Sequence, residues 1–100
     1  MKIEFLYFEG CPHSTPALLQ VQEVLAEEGV DVDIELIAVD TEEKAHRHRF
    51  PGSPTVRIDG IDVEPGGPPS LDYDLKCRIY QVEGRQEGVP PKQWIRDRIR

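Results

Sequence analysis

The apolar residues near the start of the chain follow first a continuous and then a helical pattern. Residues 3–8 are apolar except for Glu4, which is typical of a buried central strand. The next apolar residues recur at the spacing of one helix face: Ala17, Leu18, Val21, Val24 and Leu25. The pattern therefore predicts a strand followed by an amphipathic helix.

The residues that flank this helix predict where it begins and ends. Ser14 or Thr15 is a suitable N-cap, because a hydroxyl can accept a hydrogen bond from a free N–H of the first turn. Pro16 suits that turn, where its missing N–H would have no helical partner. Gly29 is a typical residue just beyond the end of a helix.

Residues 30–39 alternate between apolar and polar side chains. The apolar set consists of Val30, Val32, Ile34 and Leu36. The polar set consists of Asp31, Asp33 and Glu35. Because alternate residues of a strand face opposite sides, we expect a strand with one solvent-facing side near the edge of a sheet.

A short helix is predicted after this strand. Asp40 or Thr41 can cap it, and acidic residues follow in its first turn, where they complement the helix dipole. Pro51 and Pro54 end it, since proline interrupts the hydrogen bonding of a helix.

The second half of the chain contains shorter elements. Residues 55–58 are predicted to form a strand, and Asp59 with Gly60 is a strong hairpin turn that returns through residues 61–63. Residues 65–69 are rich in glycine and proline, which predicts a loop without regular structure.

Residues 77–82 alternate like a short additional strand, and Pro90 or Pro91 opens a last helix that continues to Ile99. The predicted order is β-α-β-α-β-β-(β)-α in a single domain over residues 1–100. Parallel strands joined by a helix cross over with a right hand. We therefore expect an α/β fold with a central mixed four-stranded sheet flanked by helices.

Composition and charge limit the classes of partner. The chain is 38% hydrophobic and 31% charged, as in ordinary globular proteins, and its net charge is −7. This acidity argues against nucleic acid, because binding to phosphate needs a basic surface. The apolar runs are too short for a membrane span, and the N-terminus lacks the features of a cleaved signal. We expect a cytoplasmic protein without a membrane partner, whose two cysteines stay reduced; no oligomeric state is indicated.

The tetrapeptide Cys11-Pro12-His13-Ser14 lies where the first strand turns into the first helix. A thiol at a helix N-terminus faces free N–H groups and the positive end of the dipole, and both favour the thiolate. The Ser14 hydroxyl could donate a hydrogen bond to that thiolate, and a protonated His13 would lower the pKa further. The alternative is that Cys11 is a small buried residue in a tight turn.

Three features resemble the thioredoxin superfamily over residues 1 to about 64. The tetrapeptide has the position of the active-site motif, with serine in place of the second cysteine, and its Pro-His centre is similar to the Cys-Pro-His-Cys of bacterial periplasmic disulfide oxidases. Residues 52–55, Gly-Ser-Pro-Thr, precede the third strand, where that family carries a cis-proline. The hairpin turn at residues 59–60 follows. The chain is most similar to small glutaredoxin-like bacterial proteins with Gly-Cys-Pro near the start, which have a minimal thioredoxin fold.

The resemblance assigns roles to named residues. It implies that Cys11, His13 and Ser14 belong to a catalytic CxxS site. It also implies a substrate-binding surface made of Pro12, Ser53, Pro54 and Thr55. In this family the residue before the cis-proline, here Ser53, pairs its backbone with an extended substrate. Without the resemblance, Pro54 would be assigned to an ordinary turn that ends a helix.

The implied activity is thiol–disulfide exchange with protein or glutathione disulfides. Cys11 would attack a sulfur and form a mixed disulfide. Ser14 has no thiol, so resolution must come from glutathione, from a substrate thiol or from Cys77. Cys77 can act only if its Cα lies within about 7 Å of that of Cys11; otherwise it is a packing residue. No cofactor is implied, although glutathione is a candidate co-substrate.

A second hypothesis is a non-catalytic module that binds a thiol-bearing partner or a soft metal. Cys11, His13 and Cys77 are potential soft ligands, but the sequence contains no four-ligand pattern, so no metal site is assigned. A basic cluster could attract the carboxylates of glutathione or could be the solvated side of a short helix. It consists of Lys44, His46, Arg47, His48 and Arg49.

Overall fold

The computed structural model describes residues 1–68 and 72–100, in which strands and helices alternate over the first half of the chain. The elements are, in order, β1 (Ile3–Tyr7), α1 (Ser14–Glu27), β2 (Ile34–Ala38), α2 (Glu42–Arg47), β3 (Thr55–Ile58), β4 (Ile61–Asp62), β5 (Tyr80–Val82), β6 (Arg85–Glu87) and α3 (Lys92–Ile99). The predicted loop of glycine and proline extends to Pro69, which lies outside the described residues.

Four of these strands form one mixed sheet in the order β2-β1-β3-β4. Strand β1 pairs in parallel with β2 and antiparallel with β3, which in turn pairs antiparallel with β4. The predicted α/β class with a four-stranded mixed sheet is therefore confirmed. Leu6 pairs with Thr55, so the end of β1 lies beside the start of β3. This register brings the residues after β1 close to the loop before β3.

Alternate residues of β1 pack on opposite faces of the sheet. Ile3 and Phe5 belong to a core cluster that includes residues of α1 and α3. Leu6 belongs to a second cluster with Ala45 of α2 and with Phe50. Helices therefore cover both faces, which explains why β1 is apolar nearly throughout.

Helix α1 begins one residue earlier than a Ser14 cap would place it. Its N-cap is His13, and no side chain caps it, so the prediction of Ser14 or Thr15 as the cap was wrong. The chain already turns before the helix, because the Ser14 N–H donates to the Cys11 carbonyl at 3.3 Å. Gly29 follows the helix with a φ of +65°, a conformation that favours glycine, as predicted.

Strand β2 is shorter than the alternating pattern suggested. It begins at Ile34 rather than at Val30, because Ile34 pairs with Ile3, the first residue of β1. Val30 and Val32 pack against the core without strand pairing. As predicted, β2 lies at the edge of the sheet. The strict alternation fails at Leu36, which is 54% exposed.

The predicted strand at residues 77–82 is only partly a strand. Only Tyr80–Val82 form β5, and this pairs with β6 in a separate two-stranded sheet. The turn between them contains Glu83 and Gly84, both with positive φ, which suits a tight hairpin. Cys77 instead makes an isolated parallel bridge with Ser53.

The remaining helices agree with their predictions. Thr41 caps α2, since its hydroxyl accepts a hydrogen bond from the Lys44 N–H at 3.1 Å. Pro91 is the N-cap of α3. Within the described residues, no helix has both the length and the apolar character required to cross a membrane.

Candidate active site

The two cysteines lie next to each other, although 66 residues separate them in the chain. Their Sγ atoms are 3.9 Å apart, and both thiols are free. Cys11 is only 8% exposed, whereas Cys77 is exposed. A disulfide has an S–S bond of about 2.05 Å, so an approach of about 2 Å would connect them. The geometry makes Cys77 a packing neighbour of Cys11 rather than an isolated core residue.

Cys77 reaches this position because residues 76–78 pair with the backbone of Ser53. The Ser53 N–H donates to the Lys76 carbonyl at 2.8 Å, and the Arg78 N–H donates to the Ser53 carbonyl at 2.9 Å. Cys77 lies between these two bonds and opposite Ser53. Both backbone hydrogen-bonding groups of Ser53 are therefore used within the chain.

The hydroxyl of Ser53 connects Cys11 with its surroundings. Its oxygen accepts a hydrogen bond from the Phe8 N–H at 3.3 Å and lies 3.3 Å from the hydroxyl of Ser14. The protonated Cys11 thiol donates to the Ser53 carbonyl at 3.5 Å. Ser14 thus interacts with Ser53 and with Cys11, instead of capping its own helix.

The surroundings of Cys11 favour its thiolate. Burial raises the pKa of Cys11, but hydrogen bonds to the thiolate lower it by more, so that the pKa falls below its ordinary value. The largest of these comes from the Ser53 side chain, followed by the backbone of His13, the side chain of Ser14 and the thiol of Cys77. Cys11 is therefore the more nucleophilic of the two thiols at neutral pH.

Cys77 has the opposite tendency. Burial raises its pKa, and so do its hydrogen bond to Cys11 and the negative charge of the Cys11 thiolate. Cys77 keeps its proton after Cys11 has lost its own and donates it toward the thiolate.

His13 contributes through its backbone, while its ring packs elsewhere. The backbone of His13 is one of the groups that lower the pKa of Cys11. The ring lies against Gly88 in the loop before α3, where an added Cβ would come within 2.6 Å of the ring atoms. The structure thus assigns His13 a backbone contribution, and the effect of a protonated ring on Cys11 stays a prediction. Pro12, which lies between Cys11 and His13 in the chain, is exposed.

The loop before β3 lies beside Cys11 but faces the interior. The Ser53–Pro54 peptide bond is cis, the isomer expected for it, and Ser53 and Thr55 have no exposed surface. The Thr55 hydroxyl donates to the Gly52 carbonyl at 2.6 Å. The Tyr80 hydroxyl donates to the Pro54 carbonyl. Of the four residues predicted to contact substrate, only Pro12 is exposed in this arrangement.

Arg78 anchors the segment that carries Cys77, and sequence reasoning did not identify it. It is 3% exposed, and its guanidinium makes a two-point contact with Asp62, at 2.7 and 2.9 Å. A further nitrogen–oxygen contact of 2.8 Å joins it to Glu64. The guanidinium also lies over the ring of Tyr80, 4.3 Å from its centre. Burial lowers the pKa of Arg78, but its acidic partners raise it by more. The net pKa is therefore above its ordinary value, and the charge of Arg78 is permanent.

A signal for this cluster does exist in the sequence. Arg78 stands inside an otherwise apolar alternation, between Cys77 and Ile79, and two acidic residues follow the hairpin turn at positions 62 and 64. A buried arginine requires such partners, because an unpaired buried charge is costly.

The basic cluster predicted around α2 lies apart from the thiols. Lys44 pairs with Asp40, which precedes the helix, at 2.8 Å, and Arg47 pairs with Glu43 across one helical turn at 3.1 Å. His48 and Arg49 line a cavity of about 410 Å³ that extends to Gly60, at the other end of β3 from Cys11. Within residues 1–68 and 72–100, no group of three or more His, Cys, Asp or Glu side chains could hold a metal ion.

Comparison of the chain with protein-family models, with curated proteins and with solved structures gave no match. The functional interpretation therefore depends on the site itself: two adjacent thiols with opposite pKa shifts, a cis-proline loop and a buried arginine that fixes the second thiol.

Proposed function

We propose that the chain is a thiol–disulfide oxidoreductase of thioredoxin-like, glutaredoxin-like fold, in which Cys11 attacks and Cys77 resolves. The observation that carries the proposal is the distance of 3.9 Å between the two Sγ atoms. The sheet order β2-β1-β3-β4, the helices on both faces and the cis-proline beside Cys11 support the fold assignment. The second thiol, which the tetrapeptide lacks at Ser14, is supplied from elsewhere in the chain.

In the first step the Cys11 thiolate attacks one sulfur of a substrate disulfide. A bond forms between Cys11 Sγ and that sulfur, and the S–S bond of the substrate breaks. The departing thiolate takes the electron pair of the broken bond and then a proton from water. Cys11 is left in a mixed disulfide with one half of the substrate, and the other half has been released as a thiol.

The second step uses Cys77, whose acidity depends on the state of Cys11. The hydrogen bond to the Cys11 thiolate and its negative charge both raise the pKa of Cys77. Both influences disappear once Cys11 is part of a mixed disulfide, so Cys77 then loses its proton more readily. Its thiolate attacks Cys11 Sγ, the Cys11–Cys77 disulfide forms, and the second substrate thiol leaves with a proton from water.

The complete reaction oxidises the two cysteines and reduces one disulfide to two thiols. Two equivalents of a small thiol, such as glutathione, return the protein to its reduced form, and are themselves joined as a disulfide. Glutathione is thus a co-substrate in this cycle and not a bound cofactor. In a chain without Cys77, glutathione would attack the mixed disulfide directly.

The competing hypothesis is a module that binds a soft metal through the two thiols. Metal ligation requires both sulfurs as thiolates. The rise in the pKa of Cys77 beside the Cys11 thiolate agrees with an attacking and a resolving thiol. A bound metal would displace the proton of Cys77, so the two hypotheses are separated by experiment.

The test is the reaction of three chains with oxidised glutathione, followed by intact mass. We expect the wild-type chain to lose two hydrogens and carry no adduct. Cys77→Ser should accumulate one glutathione on Cys11, and Cys11→Ser should react slowly and form no internal disulfide. A wild-type Cys11 that reacts no faster than a free thiol would overturn the proposal. Binding of one Cu(I) that both substitutions abolish, without any internal disulfide, would favour the metal module.

A further inference from the structure

Residues 76–78 occupy the place where an incoming polypeptide would contact the site. A chain that brings a sulfur to Cys11 must come close to Ser53, whose carbonyl lies 3.5 Å from Cys11 Sγ. The Ser53 N–H and carbonyl are the backbone groups there that could pair with it. Both are already bonded, to Lys76 and to Arg78, at 2.8 and 2.9 Å.

The residues next to Cys11 add one further restriction. The ring of His13 packs directly against Gly88, so no second chain can pass between these two residues. Cys11 itself is 8% exposed, with Cys77 next to its sulfur. A small molecule can reach such a sulfur by its end, but an extended chain would have to lose water from its backbone groups without finding partners.

Arg78 makes the segment difficult to displace. Its guanidinium is bound to Asp62 and Glu64 and stacked on Tyr80, and its own backbone N–H makes one of the two bonds to Ser53. Gly52 fits directly against it, because an added Cβ would lie 2.9 Å from the Cβ of Arg78. Lifting residues 76–78 would therefore break the ion pairs as well as the pairing with Ser53.

We propose that residues 76–78, anchored by Arg78, are a built-in specificity element that restricts Cys11 to small, low-molecular-weight disulfides and excludes disulfides carried on extended polypeptides. This inference rests on the proposed exchange activity of Cys11. The segment has two roles. It holds Cys77 beside Cys11 for the second step of the exchange, and it covers the backbone groups of Ser53 with which a polypeptide substrate would pair in the first step. Arg78 is accordingly a positioning residue and does not itself react.

The experiment uses two mixed disulfides with the same leaving group, thionitrobenzoate. One carries 2-mercaptoethanol, and the other carries an extended peptide with a single cysteine. Release of thionitrobenzoate gives the rate of attack on each, and the rate of Cys11→Ser is subtracted to remove the reaction of Cys77. The rate with the small probe is divided by the rate with the peptide probe, which cancels any effect of the Cys11 pKa. The same ratio measured with N-acetylcysteine gives the preference of a free thiol for the small probe.

We expect the wild-type chain to favour the small probe at least tenfold more than N-acetylcysteine does. A tenfold preference corresponds to about 1.4 kcal/mol, the order of cost of one unpaired backbone group. A ratio equal to that of N-acetylcysteine, with both probes reacting fast, would overturn the inference and leave the proposed function intact. No reaction of Cys11 with either probe would overturn the proposed function itself.

Arg78→Lys tests the anchor, with Arg47→Lys as the matched control. Lysine cannot make the two-point contact with Asp62 and the bond to Glu64 together, so the segment should loosen and the preference should fall severalfold. Arg47 pairs with Glu43 on the exposed surface of α2, so its replacement should leave the ratio unchanged. Gly52→Ala, whose added Cβ would lie 2.9 Å from the Cβ of Arg78, should act like Arg78→Lys. Discrimination that survives both variants in folded protein would refute the role of the segment.

Discussion

Cys11 and Cys77 are neighbours in space, yet different kinds of interaction hold the segments that carry them. Cys11 follows β1 and precedes α1, so two regular elements fix it within a few residues. Cys77 belongs to neither a strand nor a helix, and its position depends on the bridge to Ser53 and on the buried ion pairs of Arg78. The comparison teaches that local structure sets the nucleophile, whereas a distant polar cluster sets its partner.

The largest expected effect is the loss of the polar cluster. Arg78→Ala leaves Asp62 and Glu64 without their cation, and breaking a buried ion pair in this way costs about 3–5 kcal/mol. We expect the free energy of unfolding, measured by urea denaturation, to fall by that amount. The fraction of Cys11–Cys77 disulfide at a fixed ratio of reduced to oxidised glutathione should fall with it, because the second thiol is no longer held in place.

Arg47→Ala is the control for this substitution. Arg47 pairs with Glu43 on the exposed surface of α2, and such a pair contributes at most about 0.5 kcal/mol. Equal losses of stability in the two variants would contradict the assignment of Arg78 as the anchor of the Cys77 segment.

The same contrast explains how far the sequence could predict the molecule. The strand, turn and helix around Cys11 follow from periodicity and from residue types that are close together, and the hairpin at Asp59 and Gly60 follows from turn chemistry. The contact of Cys77 with Cys11 joins positions 66 residues apart, and local pattern has no information about such pairing. Strand β6, Arg-Gln-Glu, has no apolar alternation to identify it.

The site was predictable to a similar depth. Ser53 and Pro54 could be placed beside Cys11 only through the family resemblance, and their burial beneath residues 76–78 could not be anticipated at all. The helix cap was missed for a related reason: Ser14 finds a partner in Ser53, from another part of the chain, and so does not serve its own helix. In both cases the partner lies in a distant part of the chain, which a local sequence pattern does not indicate.

A smaller effect is expected at the nucleophile. Ser53→Ala removes the largest hydrogen bond that lowers the pKa of Cys11, so the pKa should rise. The rate of alkylation by iodoacetamide, followed against pH, should inflect at a higher pH than in the wild-type chain. Ser14→Ala should shift the inflection in the same direction but less. An unchanged inflection in Ser53→Ala would show that the thiolate is stabilised by other groups.

The smallest expected effect is on the pH dependence of the free energy of unfolding, to which the two cysteines contribute with opposite signs. The pKa of Cys11 is lowered in the folded chain, so its contribution is present above the ordinary thiol pKa of about 8.5 and is lost as the pH falls through the lowered value. The pKa of Cys77 is raised, so its contribution is present below about 8.5 and is lost as the pH rises toward the raised value.

Cys77→Ser, which keeps Cys11, should therefore gain stability with rising pH relative to the double variant without cysteines. In Cys11→Ser only burial still raises the pKa of Cys77, so this variant should lose stability with rising pH by a smaller amount. Urea denaturation from pH 6 to 10, the range that brackets the ordinary value of about 8.5, measures both. Because other groups titrate alike in all three chains, slopes of the same sign in the two single variants would mean that the thiols do not differ in the way the site requires.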